Sequence, residues 1–248
     1  MYKKNELFET PPARLKIWRY LDFIKFFDLL ERSKLFFTRL DKLEDPFEGV
    51  ISENALKDFF TKLGVTLNSE EINSFRKYYV KDSRIYTAVS CWHLNTIESD
   101  SMWKSYIKNG DGLAIQSTVK RLETSLIKSK NDIFVSRIIY ENKEFLSSKK
   151  KLSLLFSYPA IFKGKEYKHD EELRAIIQKE PFLNPDHRLR PLDKNGIYVD
   201  VKLNVLIAKI ILAPKCDKWK SNLIEKMCKK HGLDIEIVSS SLDNKPIF

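Results

Sequence analysis

Apolar and polar positions follow two periods along the chain and predict both strands and helices. Residues 15–20 alternate, which predicts a strand with Arg19 on one face and Tyr20 on the other. Residues 23–30 instead repeat phenylalanine and leucine at i, i+3, i+4 and i+7 behind Asp22, so they predict a helix with Asp22 as its N-cap.

The same patterns predict the rest of the fold. We expect further strands at residues 34–38, 84–92, 112–116, 134–140, 205–212 and 233–238, and helices at 52–63, 69–80, 100–108, 119–127, 143–161 and 217–231. Residues 184–195 predict a mobile surface loop. The last three elements form a strand, a helix and a strand, which is typical of a β-α-β unit. Seven or eight strands mixed with helices predict one α+β domain over residues 1–248, with a mixed sheet.

Residues 168–177 carry the most informative pattern, because acidic and basic side chains lead directly into an apolar segment of strand type. In a continuous strand Asp170, Glu172 and Arg174 would share one face. Charges are costly to bury unless they are paired or used. The segment therefore indicates either a functional site or a buried ion-pair network, and the sequence leaves both interpretations open.

Composition narrows the class of protein. The 43% of hydrophobic residues is sufficient for a core, and the formal charge of +10 favours anionic partners such as nucleic acid or nucleotides. Most of the excess charge is lysine spread along the chain, and solvated faces are the commoner explanation of that pattern. The sequence contains no zinc-finger, RNP or KH motif, so the charge does not identify a known nucleic-acid-binding module.

The spacing of the cysteines and histidines and the length of the apolar runs argue against several further classes of protein. Three cysteines without CxxC spacing argue against a disulfide framework or a zinc ribbon, and four scattered histidines argue against a catalytic zinc site. Cys91 and His93 show no third group to orient a thiol nucleophile. No charged leader is evident and no apolar stretch approaches the roughly 20 residues that a membrane helix needs. We therefore expect a cytoplasmic protein without a membrane partner.

Several blocks, in this order, resemble a known family. They are Ile17–Tyr20, Asp41–Glu48, Ser90–Trp92, Ser101–Tyr106, Gly112–Ile115, Ile139–Tyr140 and His169–Arg174. Over nearly the whole chain they are similar to bacterial and phage proteins of domain-of-unknown-function family 2971. Glu44 stands where that family has asparagine, and His169–Asp170 stand where it has Tyr-Glu. The resemblance implies an effector, toxin or phage-defence protein inside bacterial cells.

Three of these residues also resemble the site of ADP-ribosyltransferases, which implies a related core and NAD as the substrate. Such enzymes place a basic residue on the first strand, a serine on a middle strand and a glutamate on a late strand, which matches the order Arg19, Ser90 and Glu172. Glu172 would stabilise the oxocarbenium-like transition state, and Arg19 would bind the pyrophosphate. Asp170 would orient or deprotonate the acceptor. NAD hydrolysis without an acceptor fits the same residues.

Aromatic residues complete this candidate site. The side chains of Trp18, Tyr20, Trp92 or Trp103 would stack on nicotinamide or adenine, and Tyr106 and Arg174 belong to the same substrate-binding set. For Trp103 and Tyr106 the alternative is packing in the core.

The charged residues have a structural alternative too. Arg19 would then pair with Asp45, Glu48 or Glu172. Residues 45–48 would form a turn anchored by a buried Phe47.

Two other classes of function remain open. A Mg²⁺-dependent nuclease would hold the metal with Glu44, Asp45, Glu48 and Glu172, and the basic chain would favour its substrate. A non-catalytic regulator or nucleic-acid-binding protein is supported by the positive charge alone.

Overall fold

The computed structural model describes residues 1–108, 110–141, 154–155, 157–179 and 191–244. The strands are β1 Lys16–Asp22, β2 Lys34–Arg39, β3 Thr87–Leu94, β4 Gly112–Thr118, β5 Phe134–Arg137, β6 Ile139–Tyr140, β7 Phe162–Lys163, β8 Glu172–Gln178, β9 Gly196–Asp200, β10 Lys209–Leu212 and β11 Glu236–Ser239. The helices are α1 Phe23–Arg32, α2 Glu53–Lys62, α3 Ser69–Ile85, α4 Asp100–Tyr106, α5 Val119–Ser125, α6 Leu203–Leu206 and α7 Lys218–Lys230. In these ranges no helix is both long and apolar enough to cross a membrane.

Helix α1 forms for the reasons that its sequence predicts. The Asp22 carboxylate accepts a hydrogen bond from the backbone N–H of Lys25 at 2.8 Å, so it caps the first turn. Phe26 and Leu30 are buried against the sheet. The helix ends at Ser33, which adopts a left-handed conformation with a φ of 49°. The predicted helix and its N-cap are confirmed.

Nine strands form one mixed sheet. Seven of them follow the order β11-β10-β4-β1-β3-β2-β9, while β8 pairs with the other edge of β3 and with β5. β10 and β11 are parallel and are joined by α7, whereas the other pairings in this sheet are antiparallel. The predicted α+β class and the β-α-β unit are confirmed.

Apolar side chains cover both faces of this sheet. One face carries the largest core cluster, which joins α1 to the strands through residues such as Leu30, Ile115 and Leu173. The other face packs against α2 and α3, where Leu56 contributes to a second cluster, and against α4 through a third. The central strands β3 and β8 are therefore buried on both sides, and a charged side chain on them has to find its partners within the protein.

The sheet opens between β1 and β2. Both strands lie along the same edge of β3, because β8 occupies the opposite edge from Thr87 to His93. β1 pairs with β3 only at His93 and Leu94, and β2 pairs with β3 only at Ala88 and Val89. The backbone of residues 90–92 therefore faces a gap between the two strands. This gap positions the candidate site.

Some predicted elements differ from the structure. Residues 205–212 do not form one strand, because α6 places Leu203 and Leu206 one helical turn apart in the core before β10 begins. Helix α3 runs on to Ile85, so the strand predicted from residue 84 begins at Thr87. Eleven strands occur in the described ranges, more than the seven or eight expected. Most of the predicted helix 143–161 and of the predicted loop 184–195 lies outside the described residues.

Candidate functional site

A buried ion cluster surrounds Arg174 on β8. Its guanidinium donates to Glu172 at 2.6 and 3.1 Å and to Glu48 at 2.7 and 2.9 Å. The remaining donor binds the Ala160 carbonyl oxygen at 2.7 Å. All five N–H groups of Arg174 are thus used. Arg174 is 1% exposed, Glu48 2% and Glu172 7%, so the ion pairs are buried. Arg174 fixes the Glu172 carboxylate and has no N–H donor left for a ligand.

Lys163 extends the cluster to a third carboxylate. Its ammonium lies 2.7 Å from Asp170, 3.4 Å from Glu172 and 3.7 Å from Glu48. Three carboxylates therefore share two cations, which leaves a formal excess of one negative charge. Burial raises the pKa of Glu172, but the nearby charge of Arg174 outweighs it and sets this pKa at about 2. Glu172 is an anion at neutral pH.

Asp170 joins this cluster from outside the strand. Residues 165–170 form a 3₁₀ helix, and Glu171 then adopts a left-handed φ of 41° before β8 begins at Glu172. The prediction that Asp170 continues the strand is therefore wrong, because the turn at Glu171 breaks the alternation. Asp170 is held instead by Lys163 and by its own carbonyl oxygen, which accepts a hydrogen bond from His93 Nδ1 at 2.7 Å.

A cleft of about 540 Å³ lies over the gap between β1 and β2. Strands β1, β2 and β3 form its floor, and α1 and α4 contribute walls. Seven of the residues expected at the site line it, namely Trp18, Arg19, Tyr20, Trp92, Tyr106, Asp170 and Glu172. Ser90, Trp103, Arg174, Asp45 and Glu48 do not line it. The ion cluster thus meets the cleft through Asp170 and Glu172.

Arg19 closes the gap in the sheet. Its guanidinium donates to the Ser90 hydroxyl, to the Cys91 carbonyl oxygen at 3.5 Å and to the Phe36 carbonyl oxygen at 3.4 Å. It therefore bonds the open edges of β2 and β3, and it also lies 5.7 Å from the centre of the Trp92 ring.

The charge of Arg19 is not balanced by a carboxylate. Among the described residues none lies in salt-bridge range of its guanidinium, since Glu48 and Glu172 pair with Arg174. The expected pairing of Arg19 with an acid is therefore wrong. Burial lowers the pKa of Arg19, because the charged form has lost water without gaining a counter-ion. An anionic ligand in the cleft would supply that counter-ion.

Ser90 holds Arg19 in place. Its hydroxyl is buried on β3 and accepts hydrogen bonds from Arg19 and from Trp92 Nε1, the latter at 3.2 Å. Ser90 is a positioning residue beneath the cleft, and Trp92 is fixed by the same oxygen.

Tyr106 lines the cleft within electrostatic range of both Arg19 and the ion cluster. Tyr106 as a whole is 55% exposed, so the expectation of a core residue is wrong for Tyr106. Burial of its hydroxyl raises the pKa of Tyr106 to about 12, with further contributions from the charges of Glu172 and Asp170. The same hydroxyl influences the pKa of Arg19.

Trp103 takes the packing role instead. Its ring meets Tyr20 edge-on at 4.8 Å, and its Nε1 donates to Glu98 at 2.8 Å. Trp103 is buried in the cluster below α4, so the alternative of a core aromatic is confirmed for this residue.

The carboxylates expected to bind Mg²⁺ are separated or already bound. Glu44 is exposed, and Asp45 accepts a hydrogen bond from the Phe47 backbone N–H at 2.8 Å. Glu48 instead turns inward to Arg174. Across the described ranges no group of three or more His, Cys, Asp or Glu side chains is arranged to hold a metal ion. Phe47 is exposed, so the expected buried anchor of this turn is wrong.

Four residues of the site were not found from the sequence. Periodicity could not identify Lys163, because a lysine becomes a site residue here only through partners on three separate segments. At the opposite end of the cleft, the Phe36 and Tyr198 rings lie 4.9 Å apart, and the Tyr198 hydroxyl donates to Asp28 at 2.9 Å. One indication of this end of the cleft was present in the sequence: Phe36 is an aromatic residue on the polar face of the predicted strand 34–38.

Comparisons of the chain with protein-family models, with curated proteins and with solved structures found no match. The resemblance to domain-of-unknown-function family 2971 therefore stays a prediction.

Proposed function

We propose that the cleft binds NAD and that the protein cleaves the bond between nicotinamide and ribose, passing ADP-ribose to an acceptor or to water. The observation that carries this proposal is the charge distribution of the cleft. One end has an excess of carboxylate at Asp170 and Glu172, and the floor carries Arg19 without a carboxylate partner among the described residues. NAD has the complementary pattern, with a cationic nicotinamide ring beside an anionic pyrophosphate.

Glu172 is suited to the bond-breaking step. When the bond between the ribose C1′ and the nicotinamide nitrogen breaks, its electron pair moves to the nitrogen and positive charge develops on the ribose. A carboxylate that is already ionised and fixed by Arg174 stabilises that charge without reorganising. The acceptor then attacks C1′ with a lone pair and loses a proton.

Arg19 supplies the second half of the recognition. A guanidinium offers a planar fork that fits phosphate oxygens, and Arg19 is fixed from below by Ser90 and from the side by the Phe36 carbonyl. An anion bound there also offsets the cost of burying the charge.

Tyr106 and Asp170 complete the reacting end. Tyr106 is exposed and lines the cleft, so its ring would stack on nicotinamide. Asp170 is 24% exposed at its side chain, so it is open to an acceptor and can orient its hydroxyl or amine or accept the proton.

The test is release of nicotinamide from NAD, measured with water alone and with a bacterial extract as the source of acceptors. We expect Glu172→Gln to lower the rate roughly 100-fold or more, because it removes the charge that stabilises the transition state. Arg19→Lys should raise KM for NAD roughly tenfold, because it keeps the charge but loses the fork.

Glu48→Gln is the matched control for Glu172→Gln. It makes the same change on the other carboxylate that binds Arg174, but Glu48 does not line the cleft. Both variants should lose similar stability, and only Glu172→Gln should lose NAD cleavage. If wild-type protein neither releases nicotinamide in either medium nor binds NAD, the proposal is wrong.

A further inference from the structure

The structure points to a second ring-binding position at the outer end of the cleft, formed by Phe36 and Tyr198. We infer that it stacks the adenine of the ligand, so that the site takes a dinucleotide and not a single nucleotide. This inference rests on the proposed function and adds the orientation of the ligand in the cleft.

The position is built from two strands and one helix. Phe36 on β2 lies opposite Tyr198 on β9, and their rings are tilted by 55° at 4.9 Å. The Tyr198 hydroxyl donates to Asp28 on α1, and the Arg32 guanidinium lies 4.7 Å from the centre of the Tyr198 ring. Tyr198 remains 41% exposed. The ring is therefore held firmly while part of its surface is open.

The contacts place this ring pair on the far side of Arg19 from the ion cluster. Along β3, His93 pairs with Glu172, Ser90 and Cys91 bind Arg19, and Ala88 and Val89 pair with β2, the strand that carries Phe36. Arg19 in turn donates to the backbone carbonyl of Phe36. The order along the cleft is thus the carboxylates with Tyr106 near them, then Arg19, then the pair Phe36 with Tyr198.

This order matches a ligand with two rings and an anion between them. The scissile bond has to lie near Glu172, which assigns nicotinamide to the Tyr106 end. The pyrophosphate then meets Arg19, and the remaining ring, adenine, reaches Phe36 and Tyr198. Every base has a π-face, so an aromatic platform binds it without base-specific hydrogen bonds. Asp28 accepts from Tyr198 and lines the cleft, so its carboxylate is also near the adenosine hydroxyls.

Binding of two half-ligands separates the two ends of the cleft. ADP-ribose contains the adenine end, and nicotinamide mononucleotide contains the other. We would measure both by isothermal titration calorimetry for wild-type protein, Tyr198→Ala and Tyr198→Phe. Tyr198→Ala should weaken ADP-ribose roughly 5- to 100-fold, because stacking on one aromatic ring contributes that much. It should leave nicotinamide mononucleotide unchanged, and Tyr198→Phe should keep most of the affinity.

Tyr78→Ala is the control, because Tyr78 is also exposed but lies on α3 and does not line the cleft. It should bind both ligands as wild type does. If Tyr198→Ala binds ADP-ribose normally while Arg19→Lys weakens it, the second ring position is refuted and the proposed function stands. If wild type binds neither half-ligand and does not cleave NAD, both proposals fail together.

Discussion

Replacing Arg174 by methionine should remove the cation that holds the buried cluster together. The substitution keeps an apolar chain in the same space but leaves Glu48 and Glu172 with Lys163 as their nearest cation. Breaking a buried ion pair from one side typically costs 3–5 kcal/mol, because the remaining charge is uncompensated. We expect Arg174→Met to lose about 3–5 kcal/mol of unfolding free energy at pH 7.

The pKa of Glu172 gives an order-of-magnitude check on this loss, because Arg174 contributes most among the groups that lower it. Its folded value of about 2 lies below the ordinary value of 4.5, and each pKa unit is worth about 1.4 kcal/mol. Ionised Glu172 therefore contributes about 3 kcal/mol. Since the folded pKa is lowered, this stability is fully present above pH 4.5 and is lost as pH falls toward 2.

The variant should depend on pH in the opposite sense. Without Arg174, burial raises the folded pKa of Glu172 above 4.5, so the folded protein binds more protons than the unfolded chain and loses stability as pH rises. The stability difference between wild type and Arg174→Met should thus be largest at pH 7 and shrink toward pH 3.

Urea denaturation followed by tryptophan fluorescence measures this difference, because Trp18, Trp92 and Trp103 are all buried. Lys104→Met is the control, since it breaks an exposed ion pair with Asp100 that contributes about 0–1 kcal/mol. A loss below about 1 kcal/mol at pH 7, or an equal loss at pH 7 and pH 3, would refute the reasoning. If Arg174→Met does not fold at pH 7, Arg174→Lys should fold with a smaller loss.

Two further substitutions test the support of the cleft. Ser90→Ala should cost about 1–3 kcal/mol of unfolding free energy, because Arg19 and Trp92 Nε1 lose a buried acceptor, and it should also weaken NAD binding; unchanged urea unfolding and unchanged affinity would contradict the positioning role. Gly196→Ala should destabilise the protein more than Gly64→Ala does. Both glycines have positive φ, but a Cβ at Gly196 would lie 2.1 Å from the Phe37 carbonyl oxygen, whereas Gly64 has open space; equal melting temperatures for the two variants would contradict this.

Local patterns in the sequence were sufficient where a structural element depends on its own residues. The helical spacing in residues 23–30 and the Asp22 cap fixed α1, because the amphipathic face and the capping side chain belong to the same segment. The β-α-β unit at the end of the chain was predicted for the same reason. The residue types of a charged site were also evident in Arg19 and Glu172.

Sequence periodicity predicted the wrong conformation where tertiary packing selects among several local conformations. The single left-handed residue Glu171 removed Asp170 from the strand, although nothing in the sequence alone indicated a break at Glu171. A helical turn in Leu203–Leu206 replaced the start of the predicted apolar strand, and it buries both Leu203 and Leu206. Short apolar or charged runs fit several conformations, and packing selects one of them.

The sequence by itself determined in which strand or helix most of the charged and aromatic residues lie. The tertiary structure alone decided their partners. Arg174 finds Glu48 at a distance of 126 residues along the chain, and Arg19 is left without an acid because β1 and β2 separate along β3. Periodicity specifies the face of an element on which a side chain lies. It carries no information on which distant segment packs against that face, because that choice depends on the free energy of the whole core.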